Sequence, residues 1–152
     1  MHPVFAEFYA GLHALVADLQ TAMEGLSQDA LDWSPGPDMN SIAVLAAHTA
    51  GSLRYWVGDV VGQEPSGRMR ESEFRTAAVT AAELSGRLDA ALAHSRAVLD
   101  RLTLADLEAA RVAGRDNRQV TIAWALTHAL EHTGTHVGHI QITRQLWDQR
   151  AS

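Results

Sequence analysis

The stretch HALEHTGTHVGHI, from His128 to Ile140, holds four of the eight histidines of the chain. His128, His132 and His136 are four residues apart, and His139 follows three residues later. Because an α-helix advances about 100° per residue, these side chains lie along one narrow stripe about three turns long. The spacing therefore predicts a helix that presents its histidines on a single face.

The same helical period continues over most of the chain. Thr80 and Glu83 form a capping box, and Ser27 is expected to cap a short turn. Long helices are predicted for residues 5–26, from Asn40 or Ser41 to about Val60, from Thr80 to about Leu99, and from Thr121 to about Trp147.

The segments between these helices set the predicted architecture. The segment from Gly62 to about Ala78 is expected to be a loose connection, and Arg111 to Gln119 an irregular polar stretch. A short helical turn is expected after Leu102, and no strong alternating pattern indicates a strand. The sequence predicts an all-α fold, an antiparallel four-helix bundle with a long connection between helices 2 and 3. The 152 residues fit a single domain that covers residues 1–152.

Composition excludes several classes of function. The absence of cysteine rules out disulfides, thiolate metal sites and a cysteine nucleophile, and it is compatible with a cytoplasmic protein. The net charge is −6 and no basic run is present, so nucleic acid is not expected as a partner. No secretory signal begins the chain, and no apolar stretch approaches the ~20 residues of a membrane span.

Histidines four residues apart on a helix can place imidazole nitrogens around one cation. A third ligand must come from another helix, and three protein ligands plus water is the usual catalytic zinc arrangement. The best candidate is His48 on the second helix, because Ala47, Gly51 and Ser52 would allow close approach. His2, His13 and His94 are weaker candidates. A lone helical histidine is usually a surface or hydrogen-bonded residue, but four in one stripe favour a metal site.

A competing motif overlaps this stripe. His128, Glu131 and His132 match H-x-x-E-H, the inverted zinc-peptidase pattern, in which glutamate acts as general base. That motif needs a further carboxylate ligand well downstream. Asp148 is the sole acidic residue among the twenty that follow His132. A five-residue pattern also arises easily by chance in a histidine-rich helix, so the peptidase interpretation is disfavoured.

Three segments resemble the DinB/YfiT-like superfamily, bacterial four-helix-bundle proteins regarded as metal-dependent. They are LDWSPGPDMNSIAVLAAHTAGSLRYW (residues 31–56), HTGTHVGHI (residues 132–140) and Arg144. Their order and spacing resemble the family's proline-rich loop and histidine helix, its histidine pair, and the arginine that often follows. Together with the helical layout, the resemblance spans nearly the whole chain.

The resemblance implies a metal triad of His48, His132 and His136. It places His128 one turn away, where it would line the pocket or pack in the core. His139 stands where many relatives have glutamine, and it could be a hydrogen-bonding neighbour of a ligand or face another helix. All-imidazole ligation suits several first-row metals, with zinc or nickel expected first and iron or manganese as further options.

The resemblance also implies a small-molecule substrate and a homodimer. Some similar proteins are transferases or isomerases that use a low-molecular-weight thiol such as bacillithiol, mycothiol or glutathione. The metal would activate the thiol, or water, against a small electrophile, giving a thiol S-transferase or a hydrolase. The alternatives are a non-catalytic stress or sensor module that binds metal or ligand, and a helical interaction domain without metal.

Further residues are candidates for contact with a substrate. Tyr55 and Trp56, about two turns from His48, could line the pocket, although core packing is the favoured interpretation for Trp56. Arg115 and Arg118, before the fourth helix, could receive an anionic substrate, although a solvated surface position is favoured for both.

Overall fold

The computed structural model describes residues 1–114 and 117–150, most of which are helical. In that part of the chain, no helix combines the length and apolar character needed to cross a membrane. The elements are α1 (Pro3–Met23), α2 (Gln28–Asp32), α3 (Ile42–Leu53), a π-helix (Arg54–Val61), α4 (Arg70–Glu73), α5 (Ala81–Leu99), a 3₁₀ helix (Leu104–Glu108), β1 (Ala110–Ala113), β2 (Arg118–Thr121) and α6 (Ile122–Arg150).

The predicted helix starts are confirmed by side-chain caps. The hydroxyl of Ser27 accepts from a backbone N–H of α2 at 3.3 Å, and that of Ser41 does the same for α3 at 3.2 Å. Thr80 and Glu83 form the reciprocal capping box at the start of α5. Thr121 accepts the backbone N–H of the third residue after it at 3.1 Å and so begins α6. Each cap satisfies a donor that the first helical turn leaves without a partner.

The apolar stripe of α1 forms one wall of the core. Leu12, Val16, Leu19 and Met23 are fully buried, and α1 packs against α5 and α6. The short helix α2 and the helix α3 contact each other, and α3 contacts α5 and α6 as well. Burying a leucine-sized side chain contributes roughly 1.5–3 kcal/mol, so this stripe supplies much of the stability of α1.

Helix α3 is the most enclosed element that the structure describes. Eleven of its twelve residues are buried. A helix that is apolar on all sides belongs in a protein interior, which explains its central position. Its buried Thr49 hydroxyl donates to the Leu45 carbonyl at 2.7 Å. The imidazole of His48 is the group in this helix that must find a partner outside it.

A π-helix continues α3, where the sequence predicted one uninterrupted α-helix. The Gly62 N–H donates to the Val57 carbonyl, five residues earlier, at 2.9 Å. Over two turns, the apolar pattern cannot separate this wider helix from an α-helix. A Cβ at Gly58 would collide with the guanidinium of Arg54 and the ring of His94, so a larger residue at this position of the π-helix would displace these side chains.

A small β-hairpin replaces the irregular polar stretch predicted for residues 111–119. β1 and β2 are antiparallel, with Ala110 opposite Thr121 and Ala113 opposite Arg118. Each strand has four residues, and Ala113 is the one buried residue of the two strands. The prediction was wrong because such short strands carry too few apolar residues to show a two-residue period.

Arg144 joins the end of α6 to the end of α1. Its Nη1 donates to the Ala22 and Glu24 carbonyls at 3.1 and 3.0 Å, and its Nε donates to Asp148 at 2.8 Å. The last carbonyls of a helix have no partner within the helix. Arg144 therefore satisfies the C-terminal end of α1, away from the histidine face of α6.

We predict that Arg144→Ala destabilises the fold and leaves the histidine site intact. The side chain is 30% exposed, so its carbonyl bonds should contribute about 1 kcal/mol. The expected fall in Tm is about 2–4 °C. Arg87→Ala, at an exposed position of α5, is the control and should change stability by less than about 0.5 kcal/mol. Unchanged stability in Arg144→Ala would contradict this role.

Candidate metal centre

His48 lies on α3 with its imidazole directed at α6. The residue is 4% exposed. Its Nε2 is 3.3 Å from the Nε2 of His132, and the ring centroid of His48 is 5.1 Å from those of both His132 and His136. The packing of α3 against α6 therefore brings together three histidines that are distant in sequence.

His132 and His136 are one turn apart on α6, with ring centroids 4.4 Å apart. One ligand nitrogen from each of His48, His132 and His136 lies within 4.8 Å of the others. Two nitrogens bound to one tetrahedral zinc ion at ~2.0–2.1 Å are about 3.3 Å apart. The His48–His132 separation therefore fits a shared ion, and the three imidazoles fit a divalent first-row metal.

The environment keeps two of these imidazoles neutral. Burial, together with the neighbouring imidazoles of His136, His48 and His128, lowers the pKa of His132 to about 3. Burial also lowers the pKa of His136 to about 4, with contributions from His48 and His139. Metal binding requires an unprotonated imidazole nitrogen. Both side chains are therefore ready to ligate near neutral pH.

An ion pair holds the other nitrogen of His48. The Nδ1 of His48 is 2.8 Å from Oε2 of Glu73. Arg68 donates to both oxygens of the same carboxylate, through Nε at 2.6 Å and Nη2 at 2.8 Å. Burial raises the pKa of Glu73, but the hydrogen bonds from Arg68 and His48 and their charges outweigh it, so the pKa lies below its ordinary value.

Glu73 and Arg68 were not predicted from the sequence as site residues. Both lie in the segment predicted as a loose connection, where the structure has the short helix α4 packed on α3. The signal available was the charged run from Arg68 to Glu73, RMRESE. Charged runs are usually solvated, and nothing in the spacing indicates that this one turns back onto His48.

His128 and His139 occupy different environments beside the triad. The His128 ring stacks on Trp124, with centroids 4.8 Å apart, and meets Trp56 edge-on at 4.7 Å. The Nδ1 of His139 is 3.5 Å from the Nδ1 of His136. Neither belongs to the group of three that converges within the described residues.

The H-x-x-E-H pattern does not assemble a site around its glutamate. The side chain of Glu131 is 69% exposed and lies 3.5 Å from Nδ1 of His128.

The two remaining helical candidates for a metal ligand, His13 and His94, lie outside the converging group of three. His13 packs against Tyr9, and His94 lies 3.0 Å from a carboxylate oxygen of Glu64. His2 accepts the backbone N–H of Val4 and caps α1.

A cavity of about 910 Å³ opens beside the triad. Its lining includes His48, Tyr55, Trp56, Arg68, His128 and His132. The Tyr55 hydroxyl accepts the N–H of Gly114 at 2.9 Å, which ties the π-helix to the β-hairpin. Trp56 is 9% exposed, so it packs in the core and also borders the cavity.

Arg118 and Arg115 were predicted as candidates for binding an anionic substrate. Arg118 is exposed, and its guanidinium lies over the Trp124 ring at 4.0 Å from the centroid. It stacks at the outer side of the aromatic cluster that holds His128. Arg115 lies outside the described residues.

Two solved structures of bacterial proteins have a similar fold. A conserved protein from Enterococcus faecalis matches with a TM-score of 0.80 at 17% identity, covering 96% of this chain and 98% of its own. A DinB-like protein from Bacillus cereus matches with a TM-score of 0.73 at 14% identity, covering 93% of this chain and 91% of its own. At these identities the likeness concerns the fold alone.

A search of curated proteins finds no match. The family model described as mycothiol-S-transferase matches residues 8–149, which include the histidine triad, the cavity and Arg144. Because this model covers most of the chain, the chain belongs to the mycothiol-S-transferase family, and the predicted resemblance to the DinB/YfiT-like superfamily is confirmed.

Proposed function

We propose that this protein is a metal-dependent thiol S-transferase. It would join a low-molecular-weight thiol, with mycothiol as the first candidate, through its sulfur to a small electrophile. The observation that carries this proposal is the convergence of His48, His132 and His136 beside the 910 Å³ cavity. The three imidazoles would hold a divalent metal, with zinc or nickel expected before iron or manganese.

The triad would suit the binding of an anion once it holds a metal. When bound, a divalent metal lowers the pKa of a thiol or water that it coordinates, so a thiolate forms near neutral pH. Arg68 and Arg70 line the cavity together with Asp59 and Glu71, so the positive charge that lowers the pKa of the thiol would come from the metal. The three imidazoles are donors that carry no negative charge, which leaves the site receptive to one anionic sulfur.

The transfer has a simple chemical balance. The thiol loses its proton to solvent, and its sulfur forms a bond to the electrophilic carbon. In a substitution, the leaving group departs with the bonding electron pair. In an addition, the substrate takes a proton from solvent instead. His132 and His136, with pKa values of about 3 and 4, are too weakly basic to serve as the proton acceptor.

The cavity has room for two small molecules. Ligand pockets typically measure ~300–1,000 Å³, and 910 Å³ lies near the upper end of that range. Tyr55, Trp56 and His128 supply an apolar and aromatic wall next to the triad. This arrangement favours an electrophile with a hydrophobic body over a purely ionic one.

The position of His128 supports an open site over a closed structural one. A non-catalytic metal module would need a fourth protein ligand, and His128 is the nearest candidate. Its ring is held between Trp124 and Trp56, and the converging group among the described residues has three members. A tetrahedral ion on three ligands keeps one position for the thiol or for water.

We also propose a single domain of residues 1–152, an antiparallel four-helix bundle. The contacts of α1 with α5 and α6, and of α3 with α5 and α6, support the bundle. The segment from Gly62 to Thr80 would be the long connection between its second and third helices. A cytoplasmic homodimer is proposed with it, supported by the lack of cysteine and by the exposed apolar side chains of Ile142 and Leu146 on α6.

We predict that the protein, purified without a histidine tag and offered divalent ions, holds close to one metal per chain. His48→Ala, His132→Ala and His136→Ala should each weaken metal affinity by more than the ~10–100-fold typical of an outer partner of a ligand. Elemental analysis and chelator competition measure both quantities. Wild-type protein without metal under these conditions would refute the proposed site.

His128→Ala is the matched control on the same helix face. It removes an imidazole one turn from His132, and metal affinity should stay within about threefold of wild type, well below the effect of removing an outer partner. Loss of metal in His128→Ala with retention in His136→Ala would instead support the inverted zinc-peptidase register.

We predict that the metal-loaded protein conjugates mycothiol to a chromogenic electrophile faster than it conjugates bacillithiol or glutathione. Removing the metal with a chelator should abolish the enzymatic rate, and restoring zinc or nickel should recover it. Absorbance at saturating electrophile gives kcat/KM for each thiol. Equal rates with and without metal would exclude a metal-dependent transferase.

A further inference from the structure

We propose that Glu73, held by Arg68, is a positioning residue that fixes the His48 imidazole with its Nε2 toward His132 and His136. We also infer that Gly51 is glycine because it admits the Glu73 carboxylate to this place. The inference concerns the preparation of His48 as a ligand, and its metal-binding consequence rests on the proposed function.

The direction of the hydrogen bonds determines which nitrogen of His48 carries the proton. Arg68 donates to both oxygens of Glu73, at 2.6 and 2.8 Å. A carboxylate so held is an acceptor only, and it lies 2.8 Å from Nδ1 of His48. The proton of a neutral His48 must therefore be on Nδ1, and Nε2 keeps its lone pair. That nitrogen is the one 3.3 Å from His132.

Burial of these side chains keeps the His48 imidazole in this orientation. The side chains of His48, Glu73 and Arg68 are 6%, 11% and 13% exposed, so water competes little for their hydrogen bonds. The Phe74 ring packs against His48 with centroids 4.8 Å apart. A ring bonded at one nitrogen and packed against an aromatic side chain has little freedom to turn. This matches the way metal-binding histidines are commonly oriented by a carboxylate.

Gly51 supports the same placement of Glu73 through packing rather than through hydrogen bonds. Gly51 lies three residues after His48 on α3, and a Cβ there would collide with the Glu73 carboxylate and approach Nε of Arg68. Glycine in the middle of a helix is less favourable than alanine. The sequence suggested that small residues here allow close approach of another helix, and the group that approaches is the side chain of Glu73.

Arg68 also lies close to His48, so removing Glu73 should have a measurable effect on the His48 tautomer. Its Nη2 lies 3.4 Å from Nδ1 of His48. Without the carboxylate, the guanidinium can donate to Nδ1, and the imidazole proton moves to Nε2. The nitrogen that faces His132 and His136 would then carry a proton and could not ligate. Removing Glu73 should therefore change the tautomer of His48 as well as its freedom of motion.

The experiment compares Glu73→Ala, Glu73→Gln and Gly51→Ala with wild type. Chelator competition measures zinc affinity, and long-range ¹H–¹⁵N NMR of the metal-free protein reports the His48 tautomer. We expect zinc affinity to fall about 10–100-fold in Glu73→Ala and Gly51→Ala, with loss of the Nδ1–H tautomer. Glu73→Gln keeps an acceptor oxygen at the same distance along the side chain and should lose less than Glu73→Ala.

Two control variants match these changes. Gly86→Ala is also in a helix, α5, but a Cβ there meets nothing within 4 Å, so it should keep wild-type zinc affinity and tautomer. Glu7→Gln removes an exposed carboxylate on α1 and should do the same. If Glu73→Ala does not fold, Glu73→Gln and Gly51→Ala still carry the test.

The outcomes separate this inference from the proposed function. Wild-type zinc affinity and an unchanged His48 tautomer in Glu73→Ala and Gly51→Ala would overturn it, even with an intact metal site. A purely structural role would lower Tm without moving the tautomer, and that result would also overturn it. If wild type binds no zinc but the tautomer changes in both variants, the positioning role stands and the proposed metal site fails.

Discussion

The hydrogen bond between His48 and Glu73 links the most enclosed helix of the protein to the segment that covers it. A buried imidazole without a partner would be costly, and α3 is too apolar to supply one. Glu73 reaches it from α4, and Arg68 offsets the charge of Glu73. Breaking a buried ion pair by removing one partner is strongly destabilising, so these three side chains help to hold the segment from Arg68 to Glu73 against α3.

The cavity follows from the same constraint. Residues of the segment that Glu73 holds against α3, among them Arg68 and Arg70, line the cavity together with His128 and His132 of α6. The π-helix adds Tyr55 and Trp56 to this lining, and the Tyr55 hydroxyl meets the β-hairpin. The π-helix and the hairpin are both departures from a simple helical bundle, and both occur where the cavity needs a wall.

The sequence predicted features that depend on local pattern. Thr80 with Glu83, Ser41 and Thr121 begin helices for reasons contained within four residues, and the stripe of His128, His132 and His136 follows from helical geometry alone. His48 was predicted from its small neighbours, and the family resemblance agreed with that choice and singled out His132 and His136 within the stripe. Glu73 could not be found, because its role depends on a turn of the chain that no periodicity records. The π-helix and the four-residue strands were missed because each is too short to establish its own period.

The stripe on α6 shows how identical residues acquire different roles from their neighbours. His132 and His136 face His48, and their burial keeps them neutral. His128, one turn earlier, is held by Trp124 and Trp56, and His139 lies beside the ring of His136. One metal with an open position can use three of these side chains at most, so a fourth ligand would close the site that transfer chemistry needs. Under the proposed function, the two tryptophans around His128 would hold that imidazole in the cavity wall, away from the position that three ligands leave open.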